Sequence, residues 1–199
     1  MTPLALLRHA DTAWSLEGRI QGRADVPLCD AARRRLRGRS LPEACRGMRV
    51  VTSPLARCVE TAALLGAPDA AREPRIIEMD WGVWHGASLP GLRKALGQDM
   101  SENEARGIDF TPPGGESPRL VMQRLKTWLC EIGTAGLPTL AITHRGVIRA
   151  ILAEASGWDM RGKPPAKLDW DAVHLFSVAA DGSTTVLRLN TALPEREEP

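Results

Sequence analysis

The chain has 199 residues, a formal net charge of +2, 43% hydrophobic residues and 25% charged residues. This composition is typical of a soluble globular protein and excludes a disordered chain, a collagen and a coiled-coil rod. The small net charge gives no reason to expect nucleic acid or a membrane as a partner. No apolar run approaches the roughly 20 residues of a membrane span, and the run Pro3–Leu7 is too short for a signal peptide. We therefore expect a cytoplasmic protein.

The first half of the chain alternates apolar runs with helical patterns. Leu4–Leu7 is a short apolar run and Met48–Thr52 is a second one, and both are predicted as strands. After the second run, Ser53 is predicted to cap a helix whose first position is Pro54. Arg75–Ile77 is predicted as a third strand.

The second half continues the alternation. Glu116–Ile132 has apolar residues on one face of a 3.6-residue period and is predicted as a helix. Thr139–Thr143 is predicted as a buried strand, and Gly146–Ala155 as the helix that follows it. Val173–Val178 and Thr184–Leu189 flank a turn signal and are predicted as a hairpin.

Strands that alternate with helices predict an α/β fold, in which a mostly parallel central sheet has helices on both faces. The closing hairpin predicts an antiparallel edge near the C-terminus. We expect one domain over residues 1–199, with a polar tail that frays after Leu193. The four cysteines form no C-x-x-C pair, so we expect reduced thiols and no zinc site.

Basic side chains stand where three of the predicted strands end. Arg8 and His9 follow the first strand, Arg57 lies in the helix after the second, and His144 follows Thr139–Thr143. Each histidine alone is more often structural than catalytic. Together, at the ligand-binding edge of such a sheet and beside two helix N-termini, they are suited to an anion such as a phosphate monoester.

These residues also lie within motifs of a known family. The motifs form five blocks in the order of the chain: Leu7–Thr12, Ser53–Ala62, Glu78–Gly86, Pro113–Ser117 and Thr143–Arg149. These blocks resemble the motifs of the histidine phosphatase superfamily in its phosphoglycerate mutase-like branch. That branch includes small phosphatases such as the α-ribazole phosphatases. The resemblance extends from about Leu4 to Leu193. It implies a phosphoglycerate mutase-like fold.

The resemblance implies a covalent mechanism. His9 would be the nucleophile and would form a phosphohistidine. Arg8, Arg57 and His144 would bind the phosphoryl oxygens, and Glu78 would protonate the leaving group. Neither a metal ion nor another cofactor would be required, because the arginines supply the positive charge.

The resemblance extends to further substrate-binding positions. Gln21 and Gly22 lie in a loop that approaches the phosphate in relatives, and Ser15 replaces a frequent asparagine. Arg145 replaces a frequent glycine, and we expect it either inside the pocket or at its rim. Ala10 replaces the glycine that usually follows the Arg-His pair.

Other features have two interpretations. Asp11 is a second candidate acid should Glu78 not serve. Glu116 and Ser117 either belong to the site or start a helix, and the second interpretation is slightly favoured. The segment Arg33–Arg39, here called the basic cluster, is interpreted as a solvated helix face rather than a nucleic-acid site.

The first functional hypothesis is hydrolysis of a small phosphorylated metabolite. Only Gly86–Pro113 separates the third block from the fourth, which is short for the lid that a mutase requires. The alternatives are phosphoglycerate mutase activity and a phosphate-binding module without catalysis, with nucleic-acid binding last. The partner is then a small phosphate ester, and a homodimer is one alternative for the assembly.

Overall fold

The structure is a computed structural model that describes residues 1–196. It contains one six-stranded sheet with the strand order β3-β2-β4-β1-β5-β6. The strands are β1 (Thr2–Arg8), β2 (Arg49–Thr52), β3 (Ala71–Arg72), β4 (Thr139–Thr143), β5 (Ala172–Val178) and β6 (Thr184–Ala192). The first four are parallel, whereas β5 pairs antiparallel with both β1 and β6. The predicted α/β fold with an antiparallel C-terminal edge is confirmed.

Helices cover both faces of the sheet, as predicted. They are α1 (Ala13–Leu16), α2 (Asp30–Arg37), α3 (Ala56–Leu64), α4 (Leu89–Leu96), α5 (Gln98–Glu104), α6 (Pro118–Ala135) and α7 (Arg145–Ser156). Helices α6 and α7 share one core with Leu4 and Leu6, whereas α2 and α3 share the other with Ala5 and Leu7. Successive residues of β1 thus point to opposite cores, which is why its sequence is apolar throughout.

The strand predicted at Arg75–Ile77 is wrong. Pro74–Ile76 forms a 3-10 helical turn, and the edge strand is the two-residue β3 before it. Proline has no N–H for a sheet ladder, and the Glu73 side chain accepts the Arg75 N–H at 2.9 Å, which closes the turn.

The predicted cap of α3 is also wrong. The helix begins at Ala56, Leu55 occupies the N-cap position without a side-chain cap, and Pro54 precedes the helix. The Ser53 hydroxyl lies instead 2.7 Å from His144 Nε2. The capping prediction holds for α6, where Ser117 accepts the Leu120 N–H at 3.3 Å.

The described part of the predicted tail, residues 194–196, is hydrogen-bonded to the segment that follows α2. The Ser40 N–H donates to the Pro194 carbonyl at 3.0 Å, and the Arg196 N–H donates to the Gly38 carbonyl at 2.9 Å. Two backbone hydrogen bonds therefore hold the segment after Leu193 against the end of α2. Residues 197–199, also part of the predicted tail, lie outside the described residues.

The segment between the third and fourth blocks forms α4, α5 and a 3-10 turn over Gly107–Asp109. It packs through Met100 and Phe110 against Trp84 and Ile20 in a small core of its own. Among residues 1–196, no helix combines the length and apolar character needed to cross a bilayer.

Candidate active site

The three parallel strand ends bring the predicted basic residues together. Arg8 is the last residue of β1, His144 directly follows β4, and Arg57 lies in the first turn of α3 after β2. The ring centroids of His9 and His144 are 5.3 Å apart. All four side chains are buried. The predicted convergence at one sheet edge is therefore present.

The His9 ring has a defined orientation. Its Nδ1 lies 2.7 Å from the Ala10 carbonyl oxygen. A carbonyl oxygen only accepts hydrogen bonds, so Nδ1 carries the proton and Nε2 keeps its lone pair. Burial lowers the pKa of His9 well below its ordinary value, and the guanidinium groups of Arg8 and Arg57 lower it further. The ring is thus neutral at physiological pH and has an unprotonated Nε2.

Arg57 is fully buried and bound by carbonyl groups rather than carboxylates. Its two terminal nitrogens donate to the carbonyl oxygens of Ala24 and Gly22, both at 2.7 Å. Its buried Nε has no hydrogen-bond partner within residues 1–196. Two neutral acceptors fix the guanidinium without cancelling its charge.

Gly22 contributes its backbone to the site. Besides accepting from Arg57, it has a positive φ of 49°, and a Cβ atom there would lie 2.2 Å from His85 Nε2. Only glycine fits this close approach. We did not predict this contact between the loop and Arg57.

Arg8 faces the same edge and forms an ion pair with Asp11. Its Nη1 lies 3.4 Å from Asp11 Oδ1, while Asp11 Oδ2 lies 3.1 Å from Arg35 Nη2. Both oxygens of Asp11 are therefore engaged by arginines. Asp11 is thus ion-paired, and its role as a second candidate acid remains a prediction.

His144 is held by side chains of the neighbouring strand and helix. Its Nε2 lies 2.7 Å from the Ser53 hydroxyl and 3.5 Å from the Cys58 sulfur. Burial lowers the pKa of His144 well below its ordinary value, and the charge of Arg57 adds to the effect. The ring is neutral, and a hydroxyl orients it. The contact with Ser53 could have been anticipated, since Ser53 follows a strand at the same edge.

Glu78 is buried beside the start of α7. Its Oε1 accepts the Met79 N–H at 2.8 Å and the Gly146 N–H at 3.1 Å. Burial raises the pKa of this carboxyl group, although the Met79 N–H and the Arg57 charge act in the opposite direction. A raised pKa suits a group that must donate a proton near neutral pH.

Two of the predicted binding residues are engaged within their own loop. Ser15 and Thr12 form a reciprocal capping box at the start of α1. Gln21 Oε1 accepts a hydrogen bond from the Thr12 hydroxyl at 2.8 Å. Ser15 and Gln21 therefore shape the loop that follows His9, and a direct contact with substrate remains a prediction for both.

Glu116 does more than precede a helix. Its carboxylate lies 2.9 Å from Arg23 Nη2 and 3.2 Å from Arg124 Nε, and it accepts the Asp80 N–H at 3.1 Å. Arg124 also donates to the Ile77 carbonyl at 2.7 Å. This network braces the backbone on both sides of Glu78.

The basic cluster ties α2 to its surroundings. Arg33 Nη2 lies 2.8 Å from Glu60, and Arg35 Nη2 lies 3.1 Å from Asp11 and 3.0 Å from Asp171. These ion pairs agree with the helix-face interpretation. Within residues 1–196, no three His, Cys, Asp or Glu side chains are placed to hold a metal ion.

Comparison with known proteins places this geometry in a family. The family model described as "Histidine phosphatase superfamily (branch 1)" matches residues 4–191. A 2,3-bisphosphoglycerate-dependent phosphoglycerate mutase 2 of Gloeobacter violaceus is 30% identical over 194 residues, covering 92% of this chain and 89% of the mutase. Phosphoserine phosphatase 1 of Hydrogenobacter thermophilus is 27% identical, covering 80% of this chain and 79% of the phosphatase.

Solved structures agree with these relatives. The crystal structure of TTHB049 from Thermus thermophilus superposes with a TM-score of 0.70 at 29% identity, covering 96% of this chain and 99% of that one. Some mycobacterial relatives are longer, and the chain spans 54% of their length. The match over nearly the whole sequence, on a fold that assembles the motif residues at one sheet edge, shows that the chain belongs to the histidine phosphatase superfamily, a family of phosphatases and mutases.

Proposed function

We propose that the protein hydrolyses phosphate monoesters of small metabolites through a phosphohistidine on His9. The observation that carries the proposal is the hydrogen bond from His9 Nδ1 to the Ala10 carbonyl at 2.7 Å, which leaves Nε2 unprotonated. The buried side chains of Arg8, Arg57 and His144 surround this ring. The nucleophile and the groups that would bind its target are thus oriented before substrate arrives.

In the first step, His9 Nε2 attacks phosphorus in line with the ester oxygen. The bond from phosphorus to that oxygen breaks, and the leaving alkoxide takes the proton of Glu78. The charge on the phosphoryl oxygens is met by the guanidinium groups of Arg8 and Arg57. We propose that no metal ion is needed, because these groups supply the positive charge that a metal would provide.

In the second step, Glu78 acts as a base instead of an acid. Glu78, now a carboxylate, takes a proton from water as the water oxygen attacks phosphorus. The bond from phosphorus to His9 Nε2 breaks, its electron pair returns to the imidazole, and inorganic phosphate leaves. Glu78 is again protonated, so atoms and charges balance over the cycle.

A mutase would share the first step and pass the phosphoryl group to a second substrate. It must keep water away from the phosphohistidine. The segment available for a lid, residues 86–113, forms two helices of eight and seven residues, and it packs on its own small core. This short segment favours hydrolysis. Mutase activity remains the second candidate because a relative at 30% identity is named as a mutase.

The test is release of inorganic phosphate from p-nitrophenyl phosphate and from glycerol 3-phosphate, with a chelator present. We expect turnover with both, and an acid-labile phosphoprotein after rapid quenching. His9→Ala should abolish turnover and labelling alike. A requirement for metal, or an active His9→Ala variant, would contradict the mechanism. Interconversion of 3- and 2-phosphoglycerate that outpaces phosphate release would favour the mutase.

A further inference from the structure

The peptide unit between Gly22 and Arg23 is hydrogen-bonded at both ends. Its carbonyl oxygen accepts from Arg57 Nη2 at 2.7 Å, and its N–H donates to His85 Nε2 at 3.1 Å. A peptide unit is planar, so its carbonyl and its N–H cannot turn independently. His85 is therefore connected to the Arg57 guanidinium through a single rigid group.

Arg57 depends on the backbone more than the other arginines of the site do. Arg8 is held by the carboxylate of Asp11 at 3.4 Å. Arg145 is exposed at the first position of α7, and its guanidinium carbon lies 4.6 Å from the centroid of the Trp170 ring. The hydrogen bonds of Arg57 within residues 1–196 go to two backbone carbonyl groups. A rotation of one of these peptides would release half of the guanidinium.

The side chain of Arg23 is anchored away from this peptide. Its Nη2 lies 2.9 Å from Glu116, and its Nε donates to the Glu78 carbonyl at 3.4 Å. These contacts do not fix the dihedral angles of Gly22, and glycine restricts these angles less than any other residue. The orientation of the peptide therefore depends on its partners at the two ends, His85 and Arg57.

A carboxylate lies near the same nitrogen of His85. Asp80 Oδ1 is 3.6 Å from His85 Nε2, which is beyond hydrogen-bond distance, and this oxygen accepts the Gly82 N–H at 2.9 Å. The Arg23 N–H is nearer to Nε2, and a backbone N–H can only donate. His85 Nε2 is thus an acceptor, and the proton of the neutral ring is on Nδ1.

We propose that His85 is a positioning residue: its Nε2 orients the Gly22–Arg23 peptide, and this peptide orients the Arg57 guanidinium towards the phosphoryl group. The role requires a hydrogen-bond acceptor at this position and neither a charge nor an aromatic ring. It rests on the proposed function, because it assigns a support to one of the phosphate-binding groups.

Variants that differ in the acceptor test the assignment. Binding of inorganic phosphate by calorimetry, kcat and KM for p-nitrophenyl phosphate, and thermal unfolding are measured for the wild-type protein, His85→Gln and His85→Leu. The glutamine amide oxygen can accept the Arg23 N–H, whereas leucine has a similar size and no acceptor. Arg19→Lys is the matched control. Arg19 Nε donates to the Gly86 carbonyl at 2.9 Å and so joins the same two segments without contacting the Gly22–Arg23 peptide.

His85→Leu should weaken the binding of inorganic phosphate by about tenfold, as expected for one buried hydrogen bond, and should raise KM accordingly. His85→Gln should restore most of this affinity, and Arg19→Lys should keep the wild-type affinity. Equal losses of affinity in the two His85 variants, an equal loss in Arg19→Lys, or a lower thermal stability of His85→Leu with unchanged affinity would overturn the inference.

The tautomer of His85 is a second test that requires no variant with altered function. The ¹⁵N chemical shifts of a histidine ring report which nitrogen carries the proton, and the chain has only four histidines. The spectrum of His85→Gln identifies the His85 signals by their loss. At about pH 8, where histidine is ordinarily neutral, we expect the proton on Nδ1. A proton on Nε2 would overturn the inference.

The binding measurements separate this inference from the proposed function. A loss of phosphate affinity in His85→Leu that His85→Gln restores, in a protein that hydrolyses no ester, would contradict the proposed function alone. A wild-type protein that binds no inorganic phosphate would contradict both.

Discussion

A single methyl group at Gly146 is expected to displace the proposed general acid. A Cβ atom built on Gly146 lies 2.4 Å from Glu78 Oε1, whereas ordinary contacts begin at 3.4 Å. The carboxyl group must therefore retreat by about 1 Å, which also breaks its 3.1 Å hydrogen bond from the Gly146 N–H. A displacement of about 1 Å in a catalytic group costs roughly a hundredfold in rate, or about 2.7 kcal/mol of transition-state stabilisation.

The choice of substrate makes the Gly146→Ala prediction specific. Glycerol 3-phosphate releases a poor leaving group that needs a proton, so its kcat/KM should fall by about a hundredfold. The kcat/KM for p-nitrophenyl phosphate, which reports only the first step, should fall much less, because nitrophenolate leaves without protonation. Gly38→Ala is the control, since its new methyl group would meet only the Arg35 carbonyl at 3.7 Å. Equal losses on the two esters, or full activity on both, would refute the placement of Glu78 as the acid.

Two further changes probe the other groups of the site. The pH profile of kcat/KM should have an acid limb below pH 6.5, because the pKa of His9 is lowered from that value. It should have an alkaline limb above pH 4.5, because the pKa of Glu78 is raised from that value. Glu78→Gln should remove the alkaline limb only, and an unchanged alkaline limb would contradict the role of Glu78. Ser53→Ala should lower kcat by about tenfold, because one hydrogen bond to a buried group is worth about 1.4 kcal/mol. Ser53→Thr should restore most of the lost kcat. A change in thermal stability without a change in kcat would indicate that the hydroxyl is purely structural.

The residues that sequence analysis located correctly lie directly after strands. His9 and His144 follow β1 and β4, whose apolar runs are continuous because both strands are buried on both faces. Parallel strands end at one edge, so adjacency in sequence becomes adjacency in space. The edge strand lacked such a signal. Two residues at β3 are enough to pair with β2, and the more apolar Arg75–Ile77 misled the prediction.

Contacts between distant segments could not be predicted from local patterns. The Gly146 N–H reaches Glu78 across 68 positions, and Arg57 reaches the Gly22 carbonyl across 35. Arg145 finds Trp170 only because β5 runs antiparallel and starts at the edge where β4 ends. The sequence shows that these residue types are present, but their partners depend on the order and direction of the strands.

The partners of Arg57 explain why we expect the site to attract phosphate instead of merely containing basic residues. Most arginines of the chain lie beside carboxylates and are already neutralised, as Arg33 and Arg75 are. Arg57 donates to two carbonyl oxygens instead, so its full charge remains in a buried place where it interacts strongly with an incoming dianion. An unpaired buried cation destabilises the empty protein. Neutral acceptors limit that cost while they preserve the charge, and this requires the Gly22 backbone to pass close to α3.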